Sequence, residues 1–150
     1  MRLILLLSFL LASCAQPAPL ADPGEVETFL SAFSAAAATG DADTIASRYT
    51  EDVVILEDGR VSYRGRAEVR DAIAAFPVPG GTNLEFSGTE ITPIASDAAL
   101  VQTLFSQDYG EAGFSFSGAI SFLLIKRGGE WLIHRSHTST ARPSERDRQE

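Results

Sequence analysis

The sequence predicts one α+β domain, a cone-shaped barrel in which three N-terminal helices pack on a curved antiparallel sheet. Three observations support this prediction. The first third of the chain has apolar residues at helical spacing, and the second half consists of long segments rich in β-branched and aromatic residues. The 150 residues are 45% hydrophobic and 21% charged, which is typical of a single domain with one packed core.

Three helices are predicted before the main part of the sheet. Apolar residues recur at helical spacing over residues 25–38, and Asp22 is placed to cap this segment. The second helix is shorter and runs from a cap at Asp41 to about Tyr49. The third covers residues 66–76 and follows a first hairpin.

Six segments are predicted as strands. Residues 53–56 and 61–63 flank Asp58-Gly59, a strong signal for a two-residue hairpin turn. Four longer strands then follow one another as an antiparallel meander and cover residues 83–94, 98–109, 113–127 and 131–139. Because the helices lie on one face of a curved sheet, we expect a cavity at the open end of the cone.

The first 14 residues carry the pattern of a targeting signal. An apolar run over residues 3–12 follows Arg2 and is about half as long as a membrane-spanning helix needs to be. It ends in Leu11-Ala12-Ser13-Cys14, which resembles the lipobox of bacterial lipoproteins. The resemblance implies removal of residues 1–13, lipidation of Cys14 and attachment to a membrane. The alternative is an ordinary secretory signal in which Cys14 happens to lie near the cleavage site.

A proline-rich tether is predicted between this signal and the domain. Residues 14–23 contain three prolines, which favour an extended chain. Ala15 stands where an inner-membrane retention signal would have aspartate, so the resemblance implies the outer membrane, with the domain facing the periplasm. We expect the domain to span residues 24–140 and a charged, solvated tail to span residues 141–150.

Charge and composition exclude several classes of function. Twelve lysines and arginines stand against 20 aspartates and glutamates, and the net charge is −8. Phosphate backbones repel such a chain, so we expect no nucleic-acid partner. One cysteine and two histidines supply neither an internal disulfide nor a zinc site of the usual Cys/His type. We therefore expect no metal and no cofactor.

Three short strings stand at the corners of the predicted fold. They are TGDAD at residues 39–43, YTEDVV at residues 49–54 and GEWLIHRSHTS at residues 129–139. In this order and spacing they resemble the nuclear transport factor 2-like superfamily, and in particular its SnoaL-like branch, over residues 25–139. The resemblance implies the cone-shaped fold and a homodimer. It leaves the function open, because the superfamily includes isomerases, dehydratases, hydrolases, binding proteins and assembly domains.

Ketosteroid isomerase, a member of this superfamily, provides a test for one kind of chemistry. The resemblance aligns its catalytic aspartate with Glu57 and its two oxyanion donors with Phe33 and Ser121. Phenylalanine cannot donate a hydrogen bond, so half of the oxyanion hole is missing. We therefore do not expect proton abstraction by that mechanism.

Strand side chains alternate between two faces, and the resemblance to the isomerase selects the face that lines the cavity. The predicted ligand-binding residues are Tyr49, Gln102, Ser106, Ser121, Ser136 and Thr138. The alternating residues on the other face of these strands are more apolar and would suit the side that faces the helices. If a homodimer covers the outer face, the apolar set can lie there and the polar set can line the cavity. A bulge near Gly118 could also change which residues of that strand face the cavity.

His134 is the predicted candidate for catalysis. It would act as a general acid or base with Asp108 or Glu57 as its partner. His134 and His137 are three residues apart on a strand, point to opposite faces and cannot bind one metal together. The alternative is that His134 makes only a structural hydrogen bond.

Two functional hypotheses follow. The first is a lipid-anchored domain of the cell envelope that binds a small molecule in its cavity or serves as an assembly module. The second is an enzyme of the dehydratase or isomerase kind that uses a histidine–carboxylate pair.

Overall fold

A computed structural model describes residues 19–141. The predicted signal peptide, the lipidation site at Cys14 and the tail from residue 142 onward lie outside these residues. The elements in chain order are α1 (Pro23–Ala37), α2 (Ala42–Ala46), β1 (Tyr49–Glu57), β2 (Arg60–Arg64), α3 (Arg66–Ala75), β3 (Asn83–Ala95), β4 (Ala98–Asp108), a 3-10 turn (Gly110–Ala112), β5 (Ser115–Arg127) and β6 (Glu130–Thr140). Within the described residues, no helix is both long and apolar enough to cross a membrane.

Two predicted helix caps are confirmed. The Asp22 carboxylate accepts a hydrogen bond from the Gly24 backbone N–H at 3.0 Å, and the Asp41 carboxylate accepts one from Thr44 at 2.7 Å. Helix α2 ends earlier than predicted, because Tyr49 already begins β1. Helix α3 lies after the β1–β2 hairpin, so the three helices do not form one continuous N-terminal block.

The six strands form one curved mixed sheet in the order β2-β1-β6-β5-β4-β3. The meander from β3 to β6 is antiparallel, as predicted, but β1 and β6 pair in parallel. This corrects the prediction of a wholly antiparallel sheet. The two strands are far apart in sequence and no hairpin joins them, so their relative direction follows from packing and not from a turn.

One face of the sheet packs on the helices and forms the core. Helix α1 contributes its buried stripe, Val26, Phe29, Leu30 and Phe33. The largest fully buried side chains of the sheet include Phe122, Leu124 and Ile133. This inner face is therefore the apolar one, because burying such side chains gains the most from the removal of apolar surface from water.

A β-bulge at His134 reverses the side-chain parity within β6. Leu123 pairs with Arg135 and Leu124 pairs with Ile133, so His134 is an extra residue between two paired positions. Ile133 and Ser136 are consequently both buried, although they are three residues apart. The sequence suggested such a switch near Gly118, but that residue pairs regularly with Phe105 and Thr140.

Candidate functional site

A cavity of about 530 Å³ lies between the helices and the inner face of the sheet. Helix α1, both strands of the first hairpin, helix α3 and strands β3 to β6 all contribute to its wall. It opens where the lining side chains become exposed, at the β1–β2 turn, the C-terminal end of α3 and the β4–β5 connection. This volume is within the range of small-molecule sites in proteins.

Aromatic rings form the closed end of the cavity. The Phe33 ring meets the Tyr49 ring edge-on, with centroids 5.7 Å apart, and contacts Phe86 and Phe122 at 6.4 and 6.1 Å. Phe86 and Phe122 also meet edge-on at 6.1 Å. Tyr49, predicted to close the bottom of the cavity, does lie there. These edge-to-face contacts hold the four rings in place.

A second aromatic cluster surrounds the mouth. Phe76 follows the last residue of α3 and is 56% exposed, and Phe116 of β5 is 48% exposed. Tyr109 stacks on Phe114 with centroids 4.5 Å apart and meets Phe116 edge-on at 5.7 Å. Phe76 closes this cluster through contacts with Tyr109 and Phe114. We call these four residues, Phe76, Tyr109, Phe114 and Phe116, the aromatic rim.

The cavity wall also carries polar groups. The polar residues Tyr49, Glu57, Ser136 and Thr138 belong to its lining. Within residues 19–141 the Glu57 carboxylate has neither a hydrogen bond nor an ion pair. Burial raises the pKa of the Tyr49 phenol, and the negative charge of Glu57 raises it further. The same two causes raise the pKa of Tyr109.

Three of the predicted ligand-binding residues are placed elsewhere. Strand β4 turns Phe105 and Gln107 toward the cavity, and Gln102 and Ser106 are exposed on the other face. Ser121 pairs with Gln102 and shares that outer face. The prediction that Gln102, Ser106 and Ser121 line the cavity was therefore wrong. The physical reason is that the apolar parity of these two strands gains more from burial against the helices.

The predicted histidine–carboxylate pair does not form. Asp108 is exposed, and its carboxylate accepts a hydrogen bond from the Gly110 backbone N–H at 2.9 Å. Glu57 lines the cavity, whereas His134 lies outside it. The carboxylate nearest to His134 is that of Asp52, with Oδ1 3.6 Å from Nδ1. The prediction that His134 lies in the cavity is therefore wrong, and the residue lies where β6 meets β1.

The surroundings of His134 favour a neutral imidazole. Its Nδ1 lies 3.2 Å from Thr50 Oγ1 and 3.1 Å from Arg135 Nη1. Arginine can only donate hydrogen bonds, so Nδ1 must be unprotonated to accept one from Arg135. Burial, followed by the charge of the Arg135 guanidinium, lowers the pKa of His134. These contacts support the structural alternative for His134.

Sequence reasoning missed part of the site. Tyr63 and Ile73 line the cavity although no short motif marks them. Tyr109 and Phe116 belong to the more apolar set of alternating strand residues, which was not the set predicted to line the cavity. The greater apolarity of that set was the signal that could have identified them. Within the described residues no group of three or more His, Cys, Asp or Glu side chains could hold a metal ion.

Solved structures of other proteins have a similar fold. A protein from Shewanella oneidensis described as an NTF-2 like protein of unknown function is 20% identical, with a TM-score of 0.66, over 78% of this chain and 98% of that one. A "Putative Scytalone Dehydratase" from Novosphingobium aromaticivorans is 16% identical, with a TM-score of 0.67, over 80% and 84%. A "Putative calcium/calmodulin dependent protein kinase II association domain" from Xanthomonas campestris is 22% identical, with a TM-score of 0.70, over 80% and 88%.

These similarities establish the nuclear transport factor 2-like fold, and at such identities they establish the fold alone. No curated protein matches the sequence. The family model for the SnoaL-like domain matches residues 26–143, most of the chain. This chain therefore belongs to the SnoaL-like domain family.

Proposed function

We propose that the domain binds a small, largely apolar molecule containing a ring in its cavity. The observation that carries the proposal is the combination of an aromatic closed end with the Glu57 carboxylate, which has no hydrogen bond or ion pair within residues 19–141. An apolar wall with a few polar groups is typical of small-molecule sites. The cavity volume of about 530 Å³ leaves room for such a molecule.

An assembly role without a ligand is less well supported. Such a role would suit a cavity that is filled by the protein's own side chains. Phe33 instead forms part of the closed end, and Leu104 is 56% exposed on the outer face. The proposal of a binding site therefore takes precedence over that of a pure assembly module.

A dehydratase or isomerase remains the second candidate function. The observation in its favour is the Glu57 carboxylate on the cavity wall, which could accept a proton from a bound substrate. The relative named as a scytalone dehydratase shares the fold only. In this second proposal Glu57 replaces the predicted His134, which lies outside the cavity.

The binding proposal can be tested with N-phenyl-1-naphthylamine, a neutral fluorescent molecule whose emission rises in apolar surroundings. We expect saturable binding to the full chain. Ala72 lines the cavity from α3, so Ala72→Phe should place a ring inside it and weaken binding at least about tenfold. Ala74 is exposed on the same helix and does not line the cavity, so Ala74→Phe is the matched control. Equal binding by wild type and both variants would place the probe elsewhere and contradict the proposal.

We propose further that this domain is held at a membrane of the cell envelope through lipidated Cys14, facing the periplasm from the outer membrane. Support comes from the sequence, in which the lipobox-like residues 11–14 follow an apolar run and precede the proline-rich tether. The proposal concerns the location of the binding site and is independent of its ligand.

A further inference from the structure

Glu57 places a negative charge on the wall of a largely aromatic and apolar cavity. It is the last residue of β1 and is partly buried. Its charge contributes to the raised pKa values of Tyr49 at the closed end and of Tyr109 at the rim. The field of this carboxylate therefore reaches much of the space in which a ligand would lie.

The other charged residues of the lining form no ion pair with Glu57 within residues 19–141. The Asp58 carboxylate is engaged at the mouth, where it accepts hydrogen bonds from the Thr140 backbone N–H and hydroxyl. Arg60, the cation of this lining, is exposed and stands opposite Glu57 in the register of the hairpin. Within residues 19–141 no ion pair joins Arg60 to Glu57. The Glu57 carboxylate is thus a charge of the cavity lining that has no ion pair within the described residues, which favours a cationic ligand.

The aromatic side chains reinforce this preference. Tyr49, Tyr63, Tyr109 and Phe116 all line the same cavity. The face of an aromatic ring attracts a cation, and the attraction grows when water is excluded. An anionic ligand would meet the uncompensated carboxylate and gain nothing from the rings. A neutral ligand would displace water from Glu57 without supplying an opposite charge, which is costly.

We infer that the ligand is an organic amine, whose ammonium group pairs with Glu57 while its apolar ring packs at the closed end against Phe33 and Phe122. This inference rests on the proposed binding function and adds the chemical class of the ligand. It assigns Glu57 the role of the residue that determines ligand charge.

Three ligands with the same ring and different charge test this inference. They are 2-naphthylmethylamine, which is cationic at pH 7, neutral 2-naphthalenemethanol and anionic 2-naphthoate, each titrated calorimetrically into the full chain. We expect the amine to bind at least about tenfold more tightly than the alcohol, and the carboxylate to bind most weakly. An alcohol or carboxylate that binds as tightly as the amine would overturn the inference.

The variant Glu57→Gln separates the role of Glu57 from overall charge. It should weaken amine binding about tenfold, toward the level of the alcohol. Alcohol binding should not weaken, because the neutral ligand no longer has to displace water from a charge, and its retention also shows that the variant is folded. Glu90 is exposed on β3 outside the cavity, so Glu90→Gln makes the same change in net charge and should leave amine binding intact. Equal losses in both variants would overturn the role of Glu57. If the neutral fluorescent probe binds but the amine has no advantage, only the amine inference fails; if no ring compound binds, the proposed function fails with it.

Discussion

Among single residues, His134 combines a backbone irregularity with a constrained imidazole. It is the extra residue of the β6 bulge, and its side chain is 18% exposed. The groups that face it are Thr50, Asp52, Arg127 and Arg135. Asp52 favours the protonated ring, but burial and the two guanidinium groups outweigh it and lower the pKa. The folded protein therefore binds this proton less readily than the unfolded chain does.

This difference predicts a loss of stability in mild acid. An unperturbed histidine has a pKa of about 6.5, so below that pH the unfolded chain takes up a proton that folded His134 resists. The free energy of unfolding should fall as the pH drops from 7 toward 5, until the pH is below the lowered pKa of the folded state. Urea denaturation at several pH values measures this, and His134→Gln should flatten the dependence. His137 is exposed, so His137→Gln should keep it; a His134→Gln variant with the wild-type slope would show that another group is responsible.

At the level of elements, the connection between α3 and β3 is held closely against the end of α1. The Thr82 backbone N–H donates to the Ala37 carbonyl at 3.0 Å, and Gly81 donates to Val78 at 2.9 Å. A Cβ atom on Gly81 would lie 2.3 Å from the Ala38 carbonyl oxygen. Val78 and Thr82 both line the cavity, so this close approach fixes part of its wall.

Neighbouring glycines allow the close approach to be separated from the backbone conformation. Gly80 and Gly81 have φ values of +77° and +71°, but a Cβ on Gly80 meets nothing within 4 Å. Gly80→Ala should cost about 1–2 kcal/mol for the left-handed conformation alone. Gly81→Ala should exceed this by at least about 2 kcal/mol, because the main chain of α1 must also move. Chemical denaturation of both variants measures the difference, and equal losses would mean that the clash relaxes freely.

The elements also show which features the sequence could predict. The caps at Asp22 and Asp41 and the Asp58-Gly59 turn depend on residues close in sequence, and each was predicted correctly. The parallel pairing of β1 with β6 and the bulge at His134 depend on contacts between distant segments. Residues after the bulge face the side that regular alternation would have assigned to their neighbours. One rule of alternating faces could therefore not be right for both β4 and the second half of β6. The placement of Ser136 and Thr138 in the cavity was therefore predicted, whereas that of Gln102 and Ser121 was wrong.

For the whole molecule, we predict that lipidation of Cys14 determines where the protein is found. Cys14→Ala removes the thiol that would carry the acyl chains, so the protein should move from the membrane fraction to the soluble fraction of cells. Cys14→Ser tests the same thiol with a polar replacement and should behave identically. Cell fractionation followed by immunodetection measures the distribution. Unchanged membrane association of both variants would contradict lipid anchoring.

We also predict a homodimer through the outer face of the sheet. Leu104 is exposed on this face together with Gln102, Ser106 and Ala119, while Glu85 and Glu90 of β3 stand opposite Ser106 and Gln102. A second copy that covers Leu104 would bury apolar surface there, and Leu104→Glu should therefore weaken self-association by placing a charge in the interface. Val61 is 43% exposed on β2, the edge strand at the other end of the strand order from β3 and β4, so Val61→Glu is the control. Sedimentation velocity over a range of concentrations measures the result, and a wild type that stays monomeric throughout would contradict the prediction.

The direction in which the chain enters the fold determines how the cavity would be oriented at a surface. The Ala21 backbone N–H donates to the Ala95 carbonyl at 2.8 Å, so the chain enters beside the β3–β4 turn. The aromatic rim lies at the other end of β4, a strand of 11 residues, or roughly 36 Å away. A domain anchored through Cys14 would therefore present its opening to the aqueous compartment. Cargo would be exchanged with molecules or partners diffusing there and not drawn sideways out of the lipid layer.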